Sequence, residues 1–146
     1  FRMGEEGNVY QSGNNRQVIS YNGFSIALFV CYDLRFPVWI RNRHNEYDLA
    51  IFVANWPAAR ANAWKTLLQA RAIENLSFVA GVNIVGVDGN QLVYQGDSAM
   101  IDFKGNYVLD LGNKPSIQTV EIKYDDLSTF RKKFPAYLDA DSFKLN

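Results

Sequence analysis

Cysteine and histidine are nearly absent from the sequence, which has one of each, Cys31 and His44, among 146 residues. A lone cysteine cannot form an internal disulfide, and one cysteine with one histidine falls short of the ligand set of a tetrahedral zinc site. Net charge is also absent, because 15 basic side chains balance 15 acidic ones. Without a basic surface, we expect neither a nucleic-acid partner nor an acidic membrane partner.

Long hydrophobic runs are missing as well. The longest, around residues 26–31, is far shorter than the roughly 20 apolar residues that cross a bilayer. No basic segment followed by an apolar run marks a secretory signal, so the reducing cytoplasm is the expected location. A glycine-rich phosphate loop is lacking too, since residues 86–90 resemble a turn. We therefore expect no cofactor and a small-molecule partner.

The composition that is present, 48% hydrophobic and 21% charged, is typical of one globular domain with a real core. The first residue is Phe1 rather than methionine. We interpret the chain as the C-terminal part of a longer protein, with a processed mature N-terminus as the alternative.

Apolar runs and turn residues predict the secondary structure of the first half. Asn22-Gly23 predicts a two-residue hairpin turn, and the run after it, residues 24–31, is apolar enough for a strand covered on both faces. Residues 48–54 predict a further strand, and residues 59–76, free of glycine and proline, predict a long helix.

The second half predicts a strand over residues 78–87 and a hairpin formed by residues 98–103 and 107–111. Alternation over residues 117–122 predicts another strand, and residues 125–133 a short charged helix. The order of these elements indicates an α/β domain with a sheet flanked by helices. In such sheets ligands bind beyond the carboxyl ends of the strands.

Cys31 lies at such a strand end and is followed by a sharp turn toward a helix. This arrangement resembles a nucleophile elbow, in which the reactive side chain projects from the turn and the next backbone N–H faces a developing oxyanion. Position alone favours the alternative, a buried cysteine acting as a small hydrophobe. His44, in a polar run, is a poor candidate for the activating base. A carboxylate or a lysine must then activate the thiol.

Four motifs occur in order along the chain and together suggest a family. They are Cys31-Tyr32-Asp33-Leu34-Arg35-Phe36-Pro37, Asn55-Trp56-Pro57, Arg71-Ala72-Ile73-Glu74-Asn75 and Gly96-Asp97-Ser98. The sequence resembles the nitrilase superfamily of carbon–nitrogen hydrolases, and residues 55–60 and 138–143 are most similar to its omega-amidase branch. That resemblance implies an α-β-β-α sandwich of which residues 1–146 are the C-terminal part, and a homodimer. It also implies cleavage of the terminal amide of a small 2-oxo acid with release of ammonia.

The resemblance also implies a catalytic set. Cys31 matches the nucleophile, and Glu6 matches the second glutamate of the family, with a slip to Glu5 left open. The backbone N–H of Tyr32 would hold the oxyanion. The general-base glutamate and the lysine are expected upstream of Phe1, so the chain alone is expected to be inactive.

An omega-amidase must bind a carboxylate, for which an arginine fork is well suited. Arg35 and Arg60 are the candidates, and their alternatives are an ion pair with Asp33 for Arg35 and plain solvation for Arg60. Trp56 and Tyr32 are expected to wall the pocket, and Asn55 to hydrogen-bond near the thiol.

Other residues of the motifs are expected to have structural roles. Arg71 and Glu74 are interpreted as a structural ion pair on one helix face, and Asp97 as a turn residue. A different class of function also stays open, that of a catalytically inactive nitrilase-like domain used for binding or assembly.

Overall fold

A computed structural model describes residues 6–11 and 13–141, with the main chain only for Glu6. Within these residues the chain forms a six-stranded sheet of order β1-β2-β3-β4-β7-β8 and a separate hairpin of β5 and β6. The strands are β1 (Gln17–Tyr21), β2 (Phe24–Val30), β3 (Leu49–Ala54), β4 (Phe78–Asn83), β5 (Val85–Val87), β6 (Val93–Gln95), β7 (Ala99–Ile101) and β8 (Tyr107–Asp110). The α-helices are α1 (Pro37–Ile40), α2 (Ala61–Asn75) and α3 (Tyr124–Lys133).

The predicted hairpin at the start of the sheet is confirmed. Asn22 and Gly23 have φ angles of 47° and 80°, the left-handed values that both central residues of a tight hairpin turn require. Tyr21 and Phe24 are therefore paired directly, and β1 runs antiparallel to β2.

Strands β2, β3 and β4 are parallel neighbours, with α1 connecting β2 to β3 and α2 connecting β3 to β4. This alternation confirms the α/β class. Because Val30 pairs with Val53, and Val53 with Val82, the carboxyl ends of the three strands lie side by side. Cys31 and Asn55 follow two of these ends, so the fold places both at one edge of the sheet.

The main core lies between the sheet and α2. Trp64 and Leu68 of the helix are fully buried and pack with Phe52 and Val79 of the strands. The predicted helix is thus confirmed, although it begins at Ala61 after a short 3₁₀ turn.

The other face of the sheet is covered over only part of its length. Helix α3 packs there against the amino ends of the strands, where Leu127 is fully buried. Toward the carboxyl ends Leu28, Val30, Val53 and Val82 are between 44% and 63% exposed. The prediction that β2 is covered on both faces is therefore wrong for its second half in this chain.

A buried ion pair attaches α3 to the sheet. Arg131 donates to the Asp48 carboxylate at 2.6 Å and to the carbonyl oxygens of Leu76 and Tyr47 at 2.9 and 2.8 Å. Asp48 in turn accepts a bond from the backbone N–H of Ser25. Both charges are paired and hydrogen-bonded, as burial demands.

Two strand predictions need correction. Residues 78–87 do not form one strand, because the chain leaves the sheet at Ile84 and continues as β5 in the separate hairpin. Residues 117–122 do not form a strand, because they pair with neither edge strand of the described sheet, β1 or β8, and Ile117 is 97% exposed. Among the described residues, no helix is long and apolar enough to span a membrane.

Candidate active site

Cys31 opens a 3₁₀ turn, Cys31–Arg35, immediately after β2. Its φ angle is +42°, a left-handed value that residues other than glycine rarely adopt. The thiol is half-buried rather than sealed in the core. The chain therefore changes direction at the cysteine itself, as in a nucleophile elbow, and the residue is only partly buried where it packs against the main core.

The turn is held from within by Asp33. The Asp33 carboxylate accepts a hydrogen bond from the backbone N–H of Val30 at 3.0 Å. The backbone carbonyl oxygen of Asp33 accepts one from the N–H of Phe36 at 2.9 Å. These bonds span the residues on both sides of Cys31. Asp33 thus closes the turn locally and is not ion-paired with Arg35 among the residues described.

The turn is also held from outside by Arg71 of α2. The guanidinium donates from Nε and Nη2 to the carbonyl oxygen of Leu34 at 3.1 and 2.7 Å. The predicted pair with Glu74 is present as well, at 2.8 Å. Spacing along the helix indicated that pair, whereas the contact with the turn depends on tertiary packing.

Arg35 joins two of the sequence motifs. Its guanidinium carbon lies 4.9 Å from the ring centroid of Trp56 and 5.9 Å from that of Tyr32. Both distances are within the range of a cation–π interaction. A guanidinium stacked on rings keeps its in-plane N–H donors available for a planar anion such as a carboxylate.

Trp56 is fixed by a residue that the sequence interpretation missed. Asn83, at the end of β4, accepts the Trp56 backbone N–H at 2.7 Å and donates to the carbonyl oxygens of Trp56 and Gly96 at 3.1 and 2.9 Å. The Trp56 indole N–H donates to the carbonyl oxygen of Arg60 at 2.8 Å. Asn83 is a polar residue that ends an otherwise apolar strand, a signal close to the one that singled out Cys31 and Asn55.

The β5–β6 hairpin brings a further pair to this edge. The Tyr94 hydroxyl donates to Asp88 at 2.9 Å, and this bond raises the pKa of Tyr94. The pKa of Asp88 is lowered, above all because its carboxylate accepts the backbone N–H of Leu92. Strand β6 also contacts the 3₁₀ turn Ala58–Arg60, which places the hairpin beside Arg60.

The remaining predicted residues fall into three groups. Asn55, Arg60 and Tyr32 are exposed at the same edge as Cys31, and Glu6 has a side chain that lies outside the described residues. His44 is at the opposite edge, because the neighbouring Asn42 is bonded to Asn75, where α2 ends and the chain turns into β4.

Asp97, interpreted as a turn residue, is buried with a φ angle of +53° and ion-paired with Lys65 at 3.3 Å. In the described part of the chain, no three side chains of the histidine, cysteine, aspartate and glutamate types are grouped as metal ligands.

The fold and this edge define an α/β protein with a half-buried thiol at the carboxyl ends of parallel strands. Residues 5–132 match the model of the carbon–nitrogen hydrolase family. The chain therefore belongs to the carbon–nitrogen hydrolase family, as the four motifs indicated.

Curated relatives narrow the comparison. The chain is 48% identical over 146 residues to omega-amidase YafV of Escherichia coli strain K12, a match covering 99% of this chain and 57% of that protein. It is 32% identical over 140 residues to 2-oxoglutaramate amidase of Bacillus subtilis strain 168, covering 95% of this chain and 54% of that protein. The chain thus spans little more than half the length of these relatives.

Solved structures agree with the sequence comparison. XC1258 from Xanthomonas campestris, a CN-hydrolase superfamily protein with an arsenic adduct in its active site, is 52% identical and superposes with a TM-score of 0.95 over 100% of this chain and 58% of its own. An amidase mutant from Nesterenkonia, with acrylamide added at its active-site cysteine, is 28% identical with a TM-score of 0.74 over 92% of this chain and 53% of its own.

Proposed function

We propose that the protein containing this chain is an omega-amidase that hydrolyses the terminal amide of a small 2-oxo acid through a thioester on Cys31. The observation that carries the proposal is the partly buried cysteine in a left-handed turn at the carboxyl end of β2. The similarity to omega-amidase YafV and to 2-oxoglutaramate amidase supports the substrate class.

The reaction follows from the chemistry of a thiol and an amide. The thiolate of Cys31 attacks the amide carbon, and the negative charge that develops on oxygen is stabilised by the backbone N–H of Tyr32. Collapse of the tetrahedral intermediate breaks the C–N bond, and the nitrogen leaves as ammonia after gaining a proton. Water then attacks the thioester, which releases the carboxylate and restores the thiol.

The general base and the lysine of this mechanism are proposed to come from polypeptide outside these 146 residues. The exposed apolar side chains on one face of the sheet, Leu28, Val30, Val53 and Val82, support further polypeptide against that face. Glu6 is proposed to assist the acid–base steps.

The carboxylate of the 2-oxo acid is proposed to bind Arg35, Arg60 or both. Arg35 lies within cation–π distance of the rings of Trp56 and Tyr32, which supports a defined position for its guanidinium. Arg60 is exposed close to the hairpin that carries Tyr94. Asn55, exposed at the same edge, is proposed to hydrogen-bond near the thiol.

We further propose a homodimer and a cytoplasmic location. Exposed apolar side chains around α1, namely Phe36, Val38 and Trp39, support a surface that another subunit covers. The single cysteine is compatible with a reducing compartment.

The test is ammonia release from 2-oxoglutaramate by the complete protein and by its Cys31→Ala and Cys31→Ser variants. Wild type should turn over, both variants should fall below detection, and Ser116→Ala, an exposed control, should match wild type. Turnover by Cys31→Ala would overturn the assignment of the nucleophile. Absence of turnover by wild type on any omega-amide would instead favour a binding or assembly role.

The chain of 146 residues alone should release no ammonia from the same substrate. A rate comparable to that of the complete protein would show that the base and the lysine are not supplied from elsewhere.

A further inference from the structure

Arg71 connects the longest helix of the chain to the turn that carries the thiol. Its side chain is almost fully buried, at 4% exposed, and two of its N–H groups converge on the carbonyl oxygen of Leu34 at 3.1 and 2.7 Å. Leu34 is itself fully buried and lies three residues after Cys31 in the same turn.

We infer that Arg71 is a positioning residue for the Cys31 thiol, an inference that rests on the proposed function. It does not touch the reacting atoms. It acts by holding the second half of the Cys31 turn in place against α2.

The turn depends on such support because its first residue is in a disfavoured conformation. Cys31 has a φ of +42°, and a residue other than glycine stays in the left-handed region only where its surroundings fix it. Asp33 binds the N–H of Val30 on the strand side. Arg71 binds Leu34 on the helix side, so the strained residue is held from both directions.

An arginine suits this position better than a lysine. The guanidinium presents several donors in a rigid plane, so two of them can share one carbonyl oxygen while a third binds a carboxylate. Here Nη1 donates to Glu74 at 2.8 Å, on the same helix face. Glu74 thus orients the guanidinium and leaves the other two donors directed at the turn.

The same helix also starts beside the opposite wall of the site. Residue Arg60 at its N-terminal end accepts the Trp56 indole N–H through its carbonyl oxygen. One rigid element is therefore bonded to the Trp56 segment at one end and to the Cys31 turn near the other. Arg71 sets the position of the thiol relative to the groups that are proposed to bind substrate.

The inference is tested with Arg71→Met and Arg71→Lys in the complete protein. We expect kcat per folded enzyme to fall by about 100-fold in Arg71→Met, the order of loss that a misplaced reacting group can cause. The KM for an uncharged amide should change by less than about threefold, because Arg35, which lies in the same turn, is proposed to act only on the substrate carboxylate. Arg71→Lys should recover part of kcat, since a lysine can make one of the two bonds to Leu34.

Arg131 provides the matched control. It is equally buried, at 8% exposed, and also donates to backbone carbonyl oxygens and to a carboxylate, but it supports α3 at the amino ends of the strands. Arg131→Met and Arg131→Lys should lower thermal stability while leaving kcat per folded enzyme close to that of wild type. Equal loss of kcat in the Arg71 and Arg131 variants would reduce Arg71 to a structural role and overturn the inference.

Amide hydrogen exchange gives a second readout that does not need activity. Exchange at residues 31–36 should rise at least about tenfold in Arg71→Lys and stay unchanged in Arg131→Lys. Unchanged exchange in Arg71→Lys would overturn the inference even if Arg71→Met does not fold. An inactive wild type with this exchange pattern would refute the proposed function and leave the role of Arg71 in the turn standing.

Discussion

Asn83 and Trp56 are hydrogen-bonded in both directions across the edge of the sheet. The Asn83 amide oxygen accepts the Trp56 backbone N–H at 2.7 Å, and the Asn83 amide nitrogen donates to the Trp56 carbonyl oxygen at 3.1 Å. Both residues are at least nine-tenths buried. The segment after β3 is thereby fixed to the end of β4. The Trp56 ring, which contacts the Arg35 guanidinium, belongs to this segment.

Replacing Asn83 with alanine should therefore loosen this edge. The backbone groups of Trp56 lose their partners inside the protein, and each unsatisfied buried group costs about 1–3 kcal/mol. We expect a lower free energy of unfolding in urea and a higher KM for the amide. Asn90→Ala, in the exposed hairpin turn, is the control and should stay within about 0.5 kcal/mol of wild type. Equal stability of the two variants would contradict the assigned role of Asn83.

Much of this arrangement can be predicted from local sequence. Asn22-Gly23 determines a turn through two adjacent residues, and α2 follows from a run without glycine or proline, so both predictions are confirmed. The strand end before Cys31 follows from an apolar run that stops. Each of these signals lies within a few residues of the feature that it predicts.

The rest depends on contacts between distant residues. Arg35 contacts the ring of Trp56, which is 21 positions further along the chain. Asn83 is hydrogen-bonded to Trp56 across 27 positions. The alternation at residues 117–122 gave a wrong strand, because a strand must also lie beside a partner strand, and these residues pair with none in the described sheets. A pattern in one segment carries no information about the availability of that partner.

The close approach of α2 to β4 gives a second prediction. A Cβ added at Gly81 would lie 2.4 Å from Cδ1 of Leu68 and 2.9 Å from Cζ2 of Trp64. Gly81→Ala should therefore destabilise the protein by about 1–3 kcal/mol through overpacking, measured by urea unfolding. At Gly89 an added Cβ would meet nothing within 4 Å, so Gly89→Ala should be close to neutral. A neutral Gly81→Ala would contradict the packing described here.

Tyr47 gives a prediction about alkaline pH. Its hydroxyl is buried and donates to the carbonyl oxygen of Ile40 at 2.7 Å, and burial raises its pKa well above the usual range. The pKa of Tyr47 is thus higher in the folded protein than in the unfolded chain. The stability that the protonated Tyr47 phenol contributes is therefore complete below about pH 10 and is lost as the pH rises further.

The measurement compares wild type with Tyr47→Phe. Near neutral pH the variant should be less stable by about 1 kcal/mol, because the bond to Ile40 is lost. Above about pH 10 the gap in the free energy of unfolding should narrow, since only wild type must keep a buried phenol protonated. A gap that stays constant from pH 7 to pH 11 would contradict the raised pKa.

Substrate charge gives a prediction for the two arginines. If Arg60 binds the carboxylate, Arg60→Ala should raise KM for 2-oxoglutaramate by about 10- to 100-fold, because a charge-assisted hydrogen bond contributes that much to affinity. The KM for an uncharged amide should change much less. Arg35→Gln is tested in the same way. Arg43→Ala, exposed and close to His44 at the other edge, is the control for lost charge. Equal effects on charged and uncharged amides would remove that arginine from the carboxylate site.

Rapid-quench mass spectrometry of the complete protein mixed with 2-oxoglutaramate shows whether Cys31 carries the acyl group during turnover. The peptide containing Cys31 should gain the mass of the substrate less ammonia, and this adduct should decay as product forms. Steady release of ammonia from a protein whose Cys31 remains unmodified, with equal release by Cys31→Ala, would rule out a thioester on Cys31.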